Sequence, residues 1–118
     1  MLCQITLSLS KIRAMNHISS ENCKKLIDNQ EATIIDIRED WEVAICSIDG
    51  LKIPMHQIPE KAQSLDKSKH YIIMCKTGKR AEPVANLLEC ECGFKRISIL
   101  EGGITSWYEN FDPSFEMY

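Results

Sequence analysis

Short apolar runs alternate along the chain with segments in which apolar residues recur every three or four positions. The apolar runs predict strands at 32–37 (ATIIDI), 51–54 (LKIP), 71–74 (YIIM) and 96–100 (RISIL). The helical spacing predicts helices within 18–30, 55–65, 81–90 and 102–110, and a short helical turn with a loop within 38–50. Strands separated by helical crossovers indicate a parallel α/β sheet with helices on both faces.

Residues typical of helix ends support these boundaries. Ser19 or Ser20 suits the N-cap of the first helix, because a serine hydroxyl accepts a backbone N–H there. Pro83 falls in the first turn of the helix at 81–90, where its missing N–H costs little. Gly93 is placed to end that helix, since glycine readily adopts the left-handed conformation found there.

Length and charge limit the classes of function. A chain of 118 residues with 44% apolar residues fits one domain with a buried core. It has 14 Lys and Arg residues against 17 Asp and Glu residues, a net charge of -3. This balance argues against a general nucleic-acid binder, which needs a broad cationic excess to neutralise phosphates. Any anion-binding site must therefore be local.

The first residues do not have the pattern of a targeting segment. Their apolar stretch is broken and has no basic region before it, unlike a signal peptide or a membrane span. We therefore predict an N-terminal extension at 1–14 and a domain at 15–118, in a cytoplasmic protein that makes no membrane contact.

The cysteines indicate free thiols. The chain has 6 of them: Cys3, Cys23, Cys46, Cys75, Cys90 and Cys92. Because no secretion signal accompanies them, we expect them to be reduced. Cys90 and Cys92 are close in sequence, but a helix would point their side chains in diverging directions. We expect neither a metal site nor a cofactor.

The segment CKTGKR at 75–80 is the strongest candidate for chemistry. Cys75 follows the most apolar predicted strand, and ligands of parallel α/β sheets gather beyond the carboxyl ends of the strands. Gly78 permits a tight loop whose N–H groups, with the next helix N-terminus, can hold an anion. Such a loop stabilises a thiolate, the nucleophilic form of cysteine. Three cations would add support: Lys76, Lys79 and Arg80. This hypothesis requires a Cys75 side chain that reaches solvent.

The spacing separates this loop from that of cysteine-based phosphatases. Those enzymes need C-x5-R, whereas Arg80 follows Cys75 in a C-x4-R spacing and Ala81 stands where the phosphatase arginine would be. The shorter loop suits a single sulfur atom better than a tetrahedral phosphate.

Three segments together resemble the signatures of the single-domain rhodanese family of sulfurtransferases. They are IIDIRED followed by IDGLKIP, then CKTGKRA, and finally LEGGITSW, and they occur in the family's order. The similarity extends from Ile18 to Trp107 and identifies 15–118 as a rhodanese domain. It implies a three-layer α/β sandwich, in which a parallel five-stranded sheet has helices on both faces.

The resemblance also implies a reaction. Cys75 would take sulfane sulfur as a persulfide from a small anionic donor such as thiosulfate, which would leave as sulfite. A thiophilic acceptor would then remove the terminal sulfur, while main-chain N–H groups of 76–80 stabilise the persulfide anion. The residues expected to bind the donor are Lys76, Thr77, Gly78, Lys79 and Arg80.

One departure from the family pattern bears on the acceptor. The first signature usually has Gly-His before the isoleucine, where this chain has Cys46 and Ser47 before Ile48. Such variants resemble rhodanese domains that work with adenylating enzymes of sulfur-carrier pathways. Sulfur relay to a ubiquitin-like sulfur carrier protein is therefore one alternative. A non-catalytic module that binds a partner through the same loop face is another.

Some charged residues near the loop have structural alternatives. Lys76 and Lys79 could be ordinary solvated loop charges, and Arg80 could pair with an acidic residue at the edge of the loop. Asp36 and Arg38 are predicted to form an ion pair that supports the loop without contacting substrate.

Overall fold

The computed structural model describes residues 16–114 and 118, and its centre is a parallel five-stranded sheet. The strands are β1 (Asn16–Ile18), β2 (Thr33–Asp36), β3 (Leu51–Lys52), β4 (His70–Met74) and β5 (Arg96–Leu100). Their order across the sheet is β1-β5-β4-β2-β3, and each neighbouring pair is parallel. The predicted sheet is confirmed, with the most apolar strand, β4, in the middle.

The edge strand β1 does not follow from the hydrophobic pattern. Asn16 and His17 are polar, and β1 is recognised only by its pairing with β5, in a register that joins Asn16 to Ser98. The Asn16 amide Nδ2 also donates to the Ser98 hydroxyl at 2.7 Å. The family resemblance implied a fifth strand, and this segment provides it.

Helices connect the strands at the predicted places. They are α1 (Ser20–Asp28), α2 (Asp40–Ile45), α3 (Ile58–Lys61), α4 (Ala81–Cys90) and α5 (Gly103–Phe111). Ser19 is the N-cap of α1, and its hydroxyl accepts the Asn22 N–H at 3.1 Å. The helix predicted within 55–65 is shorter than expected, because α3 lies between two single 3₁₀ turns, Met55–Gln57 and Ala62–Ser64.

The core has two parts, one on each face of the sheet. Alternate residues of β4 point to opposite faces, so Tyr71 and Ile73 pack with one part while Ile72 and Met74 pack with the other. The first part includes buried residues of α3 and α4, and the second includes buried residues of α1 and α5. The three-layer sandwich is therefore confirmed.

The ends of the chain bear on two other predictions. The proposed extension at 1–14 and Met15 lie outside the described residues. None of the helices among the described residues has the length and apolar character that a membrane span requires. The cytoplasmic location stays a prediction.

Candidate active site

Cys75 lies where the sequence places it, directly after β4 and before the loop that leads into α4. The backbone N–H of Gly78 donates to the Cys75 Sγ at 3.0 Å. Gly78 has a φ of +103°, a conformation that side chains with a Cβ rarely adopt, so this turn requires glycine. The loop therefore curls back on the sulfur atom, as a nest that stabilises negative charge would.

The exposure of Cys75 differs from the prediction. Only 1% of the residue is exposed, so the expectation that its side chain reaches solvent is wrong. Cys75 belongs to the core part that also contains the buried residues Ala81 and Ala85 of α4. A reaction partner can meet the sulfur atom only after residues around the loop move.

The start of α5 holds the start of this loop in place. The Ile104 N–H donates to the Cys75 carbonyl at 2.9 Å, and the Thr105 N–H donates to the Lys76 carbonyl at 3.2 Å. These bonds use N–H groups of the first turn of α5, which have no partner within the helix. They also direct the two loop carbonyls toward α5.

Gly103 makes this contact possible. It has a φ of +59°, and a Cβ on it would lie 2.4 Å from the carbonyl oxygens of both Cys75 and Lys76. No side chain fits in that space without moving the backbone of the loop. The second glycine of the Gly-Gly pair in the closing motif therefore has a geometric reason.

Substitution of Gly103 should destabilise the fold through this close approach. We expect Gly103→Ala to lose about 1–2 kcal/mol from left-handed strain and about 1–3 kcal/mol more from the clash. Gly93→Ala is the matched control, because Gly93 has a φ of +79° but a Cβ on it would meet Lys67 Cδ at 3.9 Å, an ordinary van der Waals contact. Urea unfolding should separate the two variants, and equal losses would contradict the clash.

The predicted donor-binding residues do not form one cluster. Thr77 and Lys79 are exposed, whereas Lys76 is partly buried and contacts Tyr118. The Lys76 ammonium donates to the Tyr118 carbonyl oxygen and lies 4.4 Å from the centre of its ring. Lys79 is thus exposed, Lys76 contacts Tyr118, and Arg80 pairs with an acidic side chain.

That partner is Glu42, near the start of α2. Arg80 donates to both oxygens of the Glu42 carboxylate, with N–O distances of 2.8 Å in each case. This bidentate bond is the main reason why the pKa of Glu42 is lowered to about 2. The predicted alternative for Arg80, an ion pair at the loop edge, is present in the structure.

Asp36 and Arg38 form the predicted ion pair beneath the site. The guanidinium of Arg38 donates to the two Asp36 carboxylate oxygens at 3.0 and 2.8 Å, and both side chains are buried. Arg38 also donates to the carbonyls of Glu42 and Cys46 at 3.3 and 2.8 Å. The pair thus ties the end of β2 to the last turn of α2 and its C-cap residue, Cys46.

Two residues of the site were not found by sequence reasoning. Glu42 and Tyr118 contact each other at 2.6 Å, where the Tyr118 hydroxyl donates to the carboxylate. The ring of Tyr118 also packs edge to face on Trp41, with 5.7 Å between ring centres. A signal for Glu42 existed, since Glu39 and Glu42 are spaced as a capping box at a helix start. No local signal marked Tyr118.

A cavity of about 200 Å³ opens beside the loop, on the side of β1. Thr77, Gly78 and Lys79 line it together with His17 and Glu82. His17 Nε2 is 3.6 Å from the Glu82 carboxylate. Small molecules can therefore approach three of the predicted donor-binding residues from this side.

Comparison with known proteins gives a matching family and several relatives. The family model described as Rhodanese-like domain matches residues 19–110. The Bacillus subtilis (strain 168) protein YtwF, provisionally named a sulfurtransferase, is 40% identical over 101 residues, which cover 84% of this chain and 96% of YtwF. The adenylyltransferase and sulfurtransferase MOCS3-2 of Zea mays is 28% identical over 110 residues, or 86% of this chain and 23% of that protein.

A solved structure agrees with the sequence matches. The rhodanese-related protein of Thermoplasma volcanium is similar with a TM-score of 0.74 and 30% identity, over 81% of this chain and 93% of that protein. The fold, the loop geometry and these matches lead to one assignment. The chain belongs to the rhodanese-like domain family.

Proposed function

We propose that this protein is a sulfurtransferase that carries sulfane sulfur as a persulfide on Cys75. The observation that carries the proposal is the 3.0 Å bond from the Gly78 N–H to the Cys75 Sγ, in a loop that leads into the N-terminus of α4. A main-chain N–H and a helix N-terminus both favour an anion at the sulfur. The sulfurtransferase names of relatives support the same class of reaction.

The proposed donor is thiosulfate or a similar small anion. Because Cys75 is only 1% exposed, residues around the loop must first move to make its sulfur atom accessible. The Cys75 thiolate then attacks the outer sulfur of thiosulfate, a bond forms between the two sulfur atoms, and the donor's S–S bond breaks. Sulfite leaves with that electron pair, and Cys75 carries a persulfide anion. A thiophilic nucleophile then attacks the terminal sulfur, and the Cys75 thiolate leaves unchanged.

Main-chain N–H groups and cations of the loop would together stabilise the negative charge of the persulfide and the donor. The N–H groups of 76–80 stabilise the persulfide anion, as oriented dipoles stabilise an oxyanion. Lys79, which is exposed, attracts the donor from solution. Lys76 can help to attract the donor only after its hydrogen bond to the Tyr118 carbonyl breaks.

The test is direct loading of the protein with sulfur. Purified protein incubated with thiosulfate should gain the mass of one sulfur atom by intact-protein mass spectrometry, and cyanide should remove it. Polysulfide and an aromatic thiosulfonate serve as further donors, because the natural donor is unidentified. Failure to gain sulfur from any of the three would overturn the proposal.

A more specific version of this proposal is that a protein accepts the sulfur. MOCS3-2 joins an adenylyltransferase and a sulfurtransferase by name, and this chain matches 23% of its length. On that basis we infer that a ubiquitin-like sulfur carrier protein could take the sulfur from Cys75. The exposed side chains of Trp41 and Ile45 on α2, 61% and 39% exposed, offer such a protein an apolar contact.

The burial of Cys75 favours a second candidate function. A thiol that is 1% exposed suits a non-catalytic module that binds a partner through its loop face. That function would not need the sulfur atom, so Cys75→Ser would leave partner binding and cellular function intact. The sulfur-loading experiment separates the two candidates, because a binding module gains no sulfur.

A further inference from the structure

Glu42 is the most completely bonded acidic side chain around the loop. It is 3% exposed, and both carboxylate oxygens accept two hydrogen bonds each. One oxygen accepts from Arg80 at 2.8 Å and from the Glu39 N–H at 3.0 Å. The other accepts from Arg80 at 2.8 Å and from the Tyr118 hydroxyl at 2.6 Å. A carboxylate has about four acceptor positions, so none is left for a substrate or a proton donor.

The backbone of Glu42 is also fixed. Its carbonyl accepts from the Arg38 guanidinium at 3.3 Å and from the Cys46 N–H at 3.3 Å. Arg38 is in turn paired with Asp36 at the end of β2. Glu42 therefore has a rigid attachment to the sheet, independent of the loop that carries Cys75.

Arg80 connects Glu42 to the loop. It is the N-cap residue of α4 and ends the six-residue segment that starts at Cys75. With both terminal nitrogens on Glu42, its guanidinium has a fixed position. The loop is thus held at both ends, by α5 at the carbonyls of Cys75 and Lys76 and by Glu42 at Arg80.

We propose that Glu42 is a positioning residue for sulfur transfer, which acts through Arg80 to keep the Gly78 N–H directed at the Cys75 sulfur. Arg80 then binds Glu42 and does not bind the donor. Lys76 and Lys79 are the cations that attract an anionic donor. This inference rests on the proposed persulfide function. It assigns Arg80 a different role from the donor-binding role that the family resemblance implied.

The first test is the kinetics of sulfur uptake from thiosulfate in Glu42→Gln, Arg80→Gln and the double variant. We expect the maximal rate to fall roughly 10-fold to 100-fold in each single variant, as for a misplaced reacting group. The thiosulfate concentration at half-maximal rate should stay within about 2-fold of wild type, and the double variant should be no slower than either single variant. Glu60→Gln, which removes an exposed charge from α3, is the control and should match wild type.

A donor-binding role for Arg80 gives a different result. Arg80→Gln would then raise the half-saturating thiosulfate concentration, and Glu42→Gln would lower it by freeing the guanidinium. That outcome would overturn the proposal, as would a wild-type rate in Glu42→Gln.

The second test does not depend on sulfur transfer. Hydrogen exchange measured by NMR should show the Gly78 amide losing protection about 10-fold in both Glu42→Gln and Arg80→Gln, while amides of β4 keep theirs. If wild type takes up no sulfur, the proposed function fails but this measurement still decides the positioning. Unchanged protection of the Gly78 amide in both variants would overturn it.

Discussion

Cys75→Ser is expected to abolish sulfur uptake from every donor that loads the wild-type protein. A serine hydroxyl cannot form the S–S bond on which a persulfide depends, and its high pKa leaves it without an anion at neutral pH. The substitution is nearly isosteric, and the hydroxyl can still accept from the Gly78 N–H that now bonds the sulfur. Intact-protein mass spectrometry after thiosulfate treatment, with circular dichroism to verify folding, gives the measurement.

Two other cysteines provide controls for this result. Cys90 is exposed at the end of α4, and Cys90→Ser should load sulfur like wild type. Cys23 is buried in apolar surroundings, which raise the pKa of its thiol to about 12, so it should not react in the folded protein. Sulfur that persists in Cys75→Ser and disappears in Cys90→Ser would show that the carrier is a surface thiol and would contradict the assignment to Cys75.

The sequence predicted the centre of the sheet well because buried parallel strands have a strong local pattern. β4 and β5 are mostly buried, so most positions in them are apolar and isoleucine recurs. β1 is different: it is three residues long, polar at its first two positions, and formed by pairing with a strand about 80 residues away. Only non-local information, such as the family resemblance, could provide it.

The same contrast explains the site. The positions of Cys75 and Gly78 in the fold could be predicted because they follow from local sequence, a strand end and a tight turn. The pairing of Arg80 with an acidic residue was also foreseeable, but not its identity, because Glu42 lies 38 positions earlier. Likewise, the burial of Cys75 depends on tertiary packing in the core part that it shares with residues of α4, and no local sequence pattern predicts that packing.

Asp36→Asn is expected to lower the free energy of unfolding by about 3–5 kcal/mol, the usual cost of breaking a buried ion pair by removing one partner. Arg38 is fully buried beside Asp36, and the substitution leaves its charge without a counter-ion. Asp28→Asn is the matched control, because Asp28 pairs with Lys24 at 3.0 Å on the exposed surface of α1. That control should cost no more than about 0.5 kcal/mol.

Urea unfolding at neutral pH, followed by circular dichroism, measures both variants under the same conditions. Arg38 also donates to the carbonyls of Glu42 and Cys46 and to the Tyr118 hydroxyl, so these groups compete with Asp36 to stabilise the guanidinium. A loss below about 1 kcal/mol in Asp36→Asn, similar to a surface pair, would mean that those neutral oxygens solvate the buried charge sufficiently. The ion pair would then fix the path of the chain from β2 into α2 without contributing much to stability.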